Sequence, residues 1–117
     1  MNPAAIKPLI DFATFASIDI RVGTIDAVHD VASSQKLVRL VVNFGDHTRN
    51  ILAGMKKERD AIEEIVGKQA LFAVNLPART MAGEISEGML FDIGYADGLK
   101  PALAVPERPV TNGSRAC

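Results

Sequence analysis

The sequence predicts a small all-β barrel of five strands, with one or two short helices and extensions at both ends. Three observations predict it. Val38, Leu40, Val42 and Phe44 alternate with polar or outward residues, the period of a half-buried strand. Strand-like runs over residues 18–27, 38–44, 48–53, 69–75 and 89–95 are divided by turn residues. Only residues 56–66, between the third and fourth runs, change to a helical period.

Each element follows from its own residues. Residues 1–9 are expected to form a flexible arm, and residues 10–117 the barrel domain. Leu9 to Phe15 carries apolar side chains near helical spacing, which predicts a short helix packing on the barrel. Ile18, Ile20 and Val22 alternate, and after Gly23 the apolar positions change phase to Ile25 and Ala27, so a bulge or bend is expected at that glycine. Gly45-Asp46-His47 turns the chain into the returning strand Thr48 to Ala53. In the helical segment, Ala61, Ile62, Ile65 and Val66 form the apolar stripe and Gly67 stands at the C-cap. The strands Gln69 to Asn75 and Met89 to Tyr95 flank a 13-residue link, long enough to carry function of its own. Ala102 to Val105, hemmed by Pro101, Pro106 and Pro109, suits an edge or an extended cover. The order β-β-β-α-β-β is that of the oligonucleotide/oligosaccharide-binding (OB) fold.

Composition bounds the function. The chain of 117 residues is one domain, and 48% hydrophobic residues fill a single core. Thirteen basic and fourteen acidic residues give a net charge of −1, so any nucleic-acid site rests on how charge is distributed, not on its total. The one cysteine, Cys117, excludes an intrachain disulfide and fits a reducing compartment. No apolar run spans a bilayer and no secretory signal is evident, so a soluble cytoplasmic protein is expected. His29 and His47 lack metal-ligand spacing, and no Walker-type phosphate loop occurs. Glu84 and Glu87 are either an acid/base pair or two solvated carboxylates. The expectation is a non-enzyme without metal or cofactor.

The candidate binding residues are basic, with one distinctive turn. Arg21, Arg39 and Arg49 are expected on the outward phase of the first three strands; Lys36 starts the second strand, and Arg79 lies on the long link. If they converge they form an electropositive face for phosphate; otherwise each is a salt bridge or a solvated charge. In Ser86-Glu87-Gly88-Met89 the serine offers a hydrogen bond, the glycine close backbone approach and the methionine a soft apolar contact. The alternative is a turn that feeds Met89 into the core.

These segments together resemble the tRNA-binding domain family of the OB class, from about Ile10 to Ser114. The family includes free-standing dimers, the C-terminal domain of some methionyl-tRNA synthetases, and CsaA, described as an export-related chaperone. Its Asp-x-Arg-Val-Gly segment is matched by Asp19, Arg21, Val22 and Gly23. Its asparagine and arginine before the turn are matched by Asn75 and Arg79, and its serine-x-glycine-methionine segment by Ser86, Gly88 and Met89. Asp46 to Gly54 is closer to the synthetase-appended form, whereas Pro77-Ala78-Arg79, Ala82-Gly83 and the Pro109 to Gly113 ending lean toward CsaA. The chain departs from the family where basic residues usually follow the arginine: Thr80 and Ala82 stand there. The resemblance implies a non-catalytic, shape-specific tRNA-binding homodimer. Its alternatives are a CsaA-like peptide-binding chaperone and a trans-acting partner of an aminoacyl-tRNA synthetase.

Overall fold

The computed structural model describes residues 4–117. Its strands are β1 (Ile20–Asp30), β2 (Val38–Asn43), β3 (Thr48–Ala53), β4 (Gln69–Ala73), β5 (Arg79–Met81), β6 (Glu84–Ser86), β7 (Met89–Leu90), β8 (Asp92–Ile93), β9 (Ala102–Leu103) and β10 (Arg115–Ala116). One helix, α1 (Phe12–Ala16), precedes them.

β1 organises the barrel. Its first half, Ile20 to Thr24, pairs with β4, and its second half, Thr24 to Asp30, pairs with β2. A strand shared in this way has to curl, and a register shift between Ile25 and Ala27 adds a bend at Asp26. The sheet runs β3-β2-β1-β4-β7, with β10 on the edge of β1 that β2 leaves bare. Inside lie Ile25, Leu40, Val42, Ile51 and Phe72, all buried, with Phe44 edge-to-face on Phe72 at 5.5 Å between ring centres. This is the expected OB-like barrel, open along one seam.

The register reverses one sequence reading. Arg21 and Gly23 stand opposite Phe72 and Ala70, so they share the inner face of the sheet with Ile25. Ile20 and Val22 point to the other face. Their alternation marks an outer surface that is itself covered, not the core side. Gly23 is therefore no bulge: a Cβ there would meet Val42 Cγ1 at 2.6 Å and Phe44 Cε1 at 2.9 Å. The bulge sits three residues further on.

Two other expectations are modified. Residues 56–66 form only a one-turn 3-10 segment, Ile62–Ile65, with Gly67 following at φ +89°. Lys56 supplies the reason. Its ammonium is held by the carbonyls of Val31 (2.9 Å) and Ser34 (2.5 Å) and by Asp30 (2.7 Å), and its amide by the carbonyl of Lys36 (3.0 Å). The chain is pinned beneath the β1–β2 loop before it can coil. The run Met89 to Tyr95 is split: β7 pairs with β4, then β8 changes partner to β9, and Gly94 at φ +92° ends the run.

The N-terminal helix forms where expected, with Asp11 accepting the Thr14 amide at 2.7 Å. It does not pack on the barrel: none of its residues is buried, and Phe12 is 79% exposed. Its apolar side chains overhang a groove of about 560 Å³ lined also by Leu71, Phe91, Ala104 and Cys117. Of the expected arm, residues 1–3 lie outside the described residues, and residues 4–9 are exposed without regular structure. No described helix is long and apolar enough to cross a membrane.

Candidate nucleic-acid interface

The long link between β4 and β7 is not an open loop. β5 and β6 pair as a hairpin around Ala82-Gly83, at φ +51° and +80°. Two left-handed central residues give a turn whose twist matches that of the strands it joins. The hairpin lies over the outer face of β2 and β3. Arg39 holds it there, with Nε 3.2 Å from Glu84 and a second nitrogen donating to Asn50 Oδ1 at 3.2 Å. Leu52, on that outer face, is thereby buried.

Beside the hairpin is the barrel seam. β3 and the β6–β7 segment share no ladder, and side chains take its place. The Ser86 hydroxyl accepts the Leu52 amide at 3.0 Å and donates to the Gly88 carbonyl at 3.0 Å. Glu87 accepts the Asn50 amide at 3.1 Å on Oε1 and donates its own amide to the Asn50 carbonyl at 2.9 Å. Gly88 passes so close that a Cβ would meet the Ala73 carbonyl oxygen at 2.8 Å. Sequence reasoning flagged Ser86 and Gly88 for ligand contact; in the fold their chemistry is spent on closing the barrel, and Ser86 is only 4% exposed. Met89 points outward and is 58% exposed, so the turn feeds Leu90, not Met89, into the core.

The predicted cations divide into two groups. Arg49 stands opposite the buried Val42, on the inner face and not the expected outer one, and closes the barrel mouth. Its guanidinium lies 5.9 Å from the Phe44 ring centre and donates to the carbonyls of Val74 (2.7 Å) and Glu87 (3.0 Å). Arg21 occupies the same mouth, paired with Asp19 at 2.7 Å and donating to the Gly113 carbonyl. The hydrogen bond from Arg21 to Asp19, aided by Arg115, holds the Asp19 carboxyl below its ordinary range. Asn75 ties this corner together, accepting the Asp19 amide at 2.8 Å and donating to the Ser17 carbonyl at 2.7 Å. Arg39 is three residue pairs from Arg49 along the β2–β3 ladder, about 10 Å away.

Two predicted cations keep unpartnered side chains among the described residues: Lys36 and Arg79, both exposed. Arg79 borders a recess of about 240 Å³ with Leu52, Leu76, Met81, Met89 and Asp92. Lys36 borders a second recess with Glu58, Met81 and Tyr95. Gly54 and Met81 line both, so the recesses form one groove along the end of β3. Met81, Glu58, Asp92 and Tyr95 were not singled out from the sequence. For Tyr95, the only tyrosine, the available signal was an aromatic beside Gly94 in a segment otherwise poor in aromatics. Burial, the charge of Asp92 and a hydrogen bond to it push the Glu58 carboxyl up to about 7. Among the described residues no group of three or more histidine, cysteine or carboxylate side chains gathers for a metal ion.

Comparison with known proteins places this geometry. Residues 20–115 match the family model described as "Putative tRNA binding domain". The chain is 45% identical over 107 residues to a methionine–tRNA ligase of Chlorobium chlorochromatii (strain CaD3), covering 92% of this chain and 15% of that one. The chain thus spans about a seventh of the length of that curated relative. Among solved structures, a MetRS-related protein from Pyrococcus horikoshii superposes with a TM-score of 0.86 at 31% identity, covering 95% of this chain and 100% of that one. A CsaA chaperone protein from Picrophilus torridus superposes with a TM-score of 0.82 at 28% identity, covering 93% and 100%. With an OB-like barrel, the matched segments at its mouth and seam, and a family model covering nearly all of it, the chain belongs to the tRNA-binding domain family.

Proposed function

We propose that this chain is a non-catalytic, cytoplasmic, structure-specific tRNA-binding homodimer. The observation that carries the reading is the pair of unpartnered cations, Lys36 and Arg79, flanking one groove on a family-matched OB surface. Within the nine residues marked by the sequence, Lys36, Arg79 and Met89 meet the ligand directly. Arg21, Arg39 and Arg49 are half-exposed and add positive potential while holding the barrel mouth and hairpin. Asn75, Ser86 and Gly88 shape the surface from behind. Few phosphate contacts per domain favour a two-fold dimer, which doubles them and fixes their spacing. The dimer reading is supported by the apolar groove under α1, since Phe12, Phe15 and Ile18 are exposed there and a second copy would cover them.

The test is a titration with intact tRNA at several salt concentrations. Affinity falls steeply with salt if phosphate contacts dominate, and absence of binding at low salt sinks the reading. Light scattering at micromolar concentration checks the dimer; a monomeric mass independent of concentration refutes it.

A second reading has its own support. The same apolar groove suits an unfolded peptide, and a CsaA chaperone is among the structures this chain resembles. It predicts suppression of client aggregation by a protein that fails to bind tRNA. A trans-acting partner of an aminoacyl-tRNA synthetase is a third, supported by the ligase relatives; co-purification with a synthetase tests it.

A further inference from the structure

The groove along the end of β3 has a composition that a smooth helical backbone would not use. At one end stand Lys36 and the exposed Tyr95; at the other stand Arg79 and Met89. Tyr95 is 62% exposed, follows Gly94 at φ +92°, and makes no aromatic contact among the described residues. An open aromatic face beside a cation is a stacking platform for a base and an anchor for its phosphate. The middle of the groove has the opposite character. Met81 and Gly54 give it an apolar wall, and Asp92 and Glu58 border it. A carboxylate there repels phosphate but accepts hydrogen bonds from the exocyclic amino groups of bases. Glu58 keeps its proton up to about pH 7, so below that pH it adds no charge to repel a phosphate.

From this order of cation, aromatic, carboxyl, methionine and cation, we infer that the groove holds a short unpaired stretch of RNA. One base stacks on Tyr95, neighbouring bases lie against Met81 and Met89, and flanking phosphates meet Lys36 and Arg79. The inference rests on the tRNA-binding reading and deepens it: a shape-specific binder would use this groove to take an unstacked segment of the folded RNA, for single-stranded bases are the part of RNA that side chains reach.

The chain contains one tyrosine and no tryptophan, so its intrinsic fluorescence reports on Tyr95 alone. The full chain is titrated with an adenosine hexanucleotide, a blunt RNA duplex and intact tRNA, with emission corrected for RNA absorbance and binding followed in parallel by anisotropy. The hexanucleotide and tRNA should quench Tyr95, and the duplex should not. Tyr95→Ala should weaken hexanucleotide binding by about 5- to 150-fold, and Tyr95→Phe should keep it. Lys36→Ala and Arg79→Ala should each make the salt dependence shallower by about one contact. Urea unfolding of each variant confirms an unaltered fold. Binding of tRNA without quenching, and unchanged in Tyr95→Ala, overturns the groove while leaving tRNA binding intact. Quenching by the hexanucleotide without tRNA affinity keeps the groove and removes the tRNA reading. Quenching by an unfolded apolar peptide but by no RNA overturns both.

Discussion

Replacing Ser86 by alanine separates a brace from a ligand contact. In the fold the hydroxyl is 4% exposed and serves two backbone groups, the Leu52 amide and the Gly88 carbonyl, each at 3.0 Å. No strand ladder bridges β3 to the β6–β7 segment to take over if it is lost. Ser86→Ala leaves the Leu52 amide buried without an acceptor, which costs about 1–3 kcal/mol. The Gly88 carbonyl is half-buried, so water partly replaces its lost donor. A loss of about 2–3 kcal/mol follows. With a urea slope of about 1–3 kcal/mol per molar for a small domain, the midpoint should fall by about 0.7–3 M. Under conditions where wild type and variant are both folded, tRNA affinity should stay within about threefold. A variant with an unchanged midpoint and tenfold weaker tRNA binding would refute the reasoning, because the hydroxyl would then face the ligand. An unchanged midpoint with unchanged affinity would refute the cost assigned to the orphaned amide.

Glu58 makes stability depend on pH. Its folded pKa is raised to about 7 by burial and then by Asp92, against about 4.3 in an unfolded chain. The stabilisation from the retained proton is therefore complete below the unfolded value and is lost as pH rises through 7. With the exposed part of the side chain discounted, the fall is about 1–2 kcal/mol, and Glu58→Gln should flatten the stability profile between pH 5 and 8 in urea melts. Ala82 sits at φ +51° in the hairpin turn, so Ala82→Gly should raise stability by up to about 1 kcal/mol, read as a higher thermal midpoint. Arg79→Ala should weaken tRNA binding by about 1–3 kcal/mol with stability changed by less than about 0.5 kcal/mol, measured by anisotropy and melting on the same sample. A destabilised Arg79→Ala would instead place the side chain in the architecture of the loop.

What the sequence disclosed depended on which faces are covered. β2 was legible because its inner positions are fully buried and its outer ones only half-buried, so Val38, Leu40, Val42 and, just beyond the strand, Phe44 alternate plainly. β1 misled because its outer face is apolar too: Ile20 and Val22 alternate, whereas the inner positions hold Arg21 and Gly23. β3 misled in the same way, since Ile51 faces the core and Leu52 the hairpin, and their adjacency hides that Arg49 has the parity of Ile51. The hairpin was hidden by its brevity, although Ala82-Gly83 between Thr80-Met81 and Glu84-Ile85 carries the signal. At the site, the motif pointed to the surface around the β6–β7 turn and assigned Ser86 and Gly88 to ligand contact, whereas in the fold both serve the barrel seam. A serine that bonds a phosphate and one that bonds a passing strand are identical in one dimension. Tyr95 escaped notice because its value lies in its neighbours, Lys36 and Glu58, which are far from it in sequence.

The register of β10 sets the order in which this barrel forms. Ile20 and Arg21 pair with Ala116 and Arg115, and the Val22 backbone exchanges hydrogen bonds with Gly113 and Ser114. The loop that remains to be closed is short once β4 lies on β1, because Gln69 holds both the carbonyl and the amide of Val110 and Thr24 bonds Asn112. During synthesis, the first half of β1 therefore has one edge satisfied by β4 and the other bare until residues 113–116 arrive. A bare edge is a template for a strand of another chain. The nascent domain completes itself late, and a variant ending before Gly113 would carry a permanent site for aggregation by strand addition.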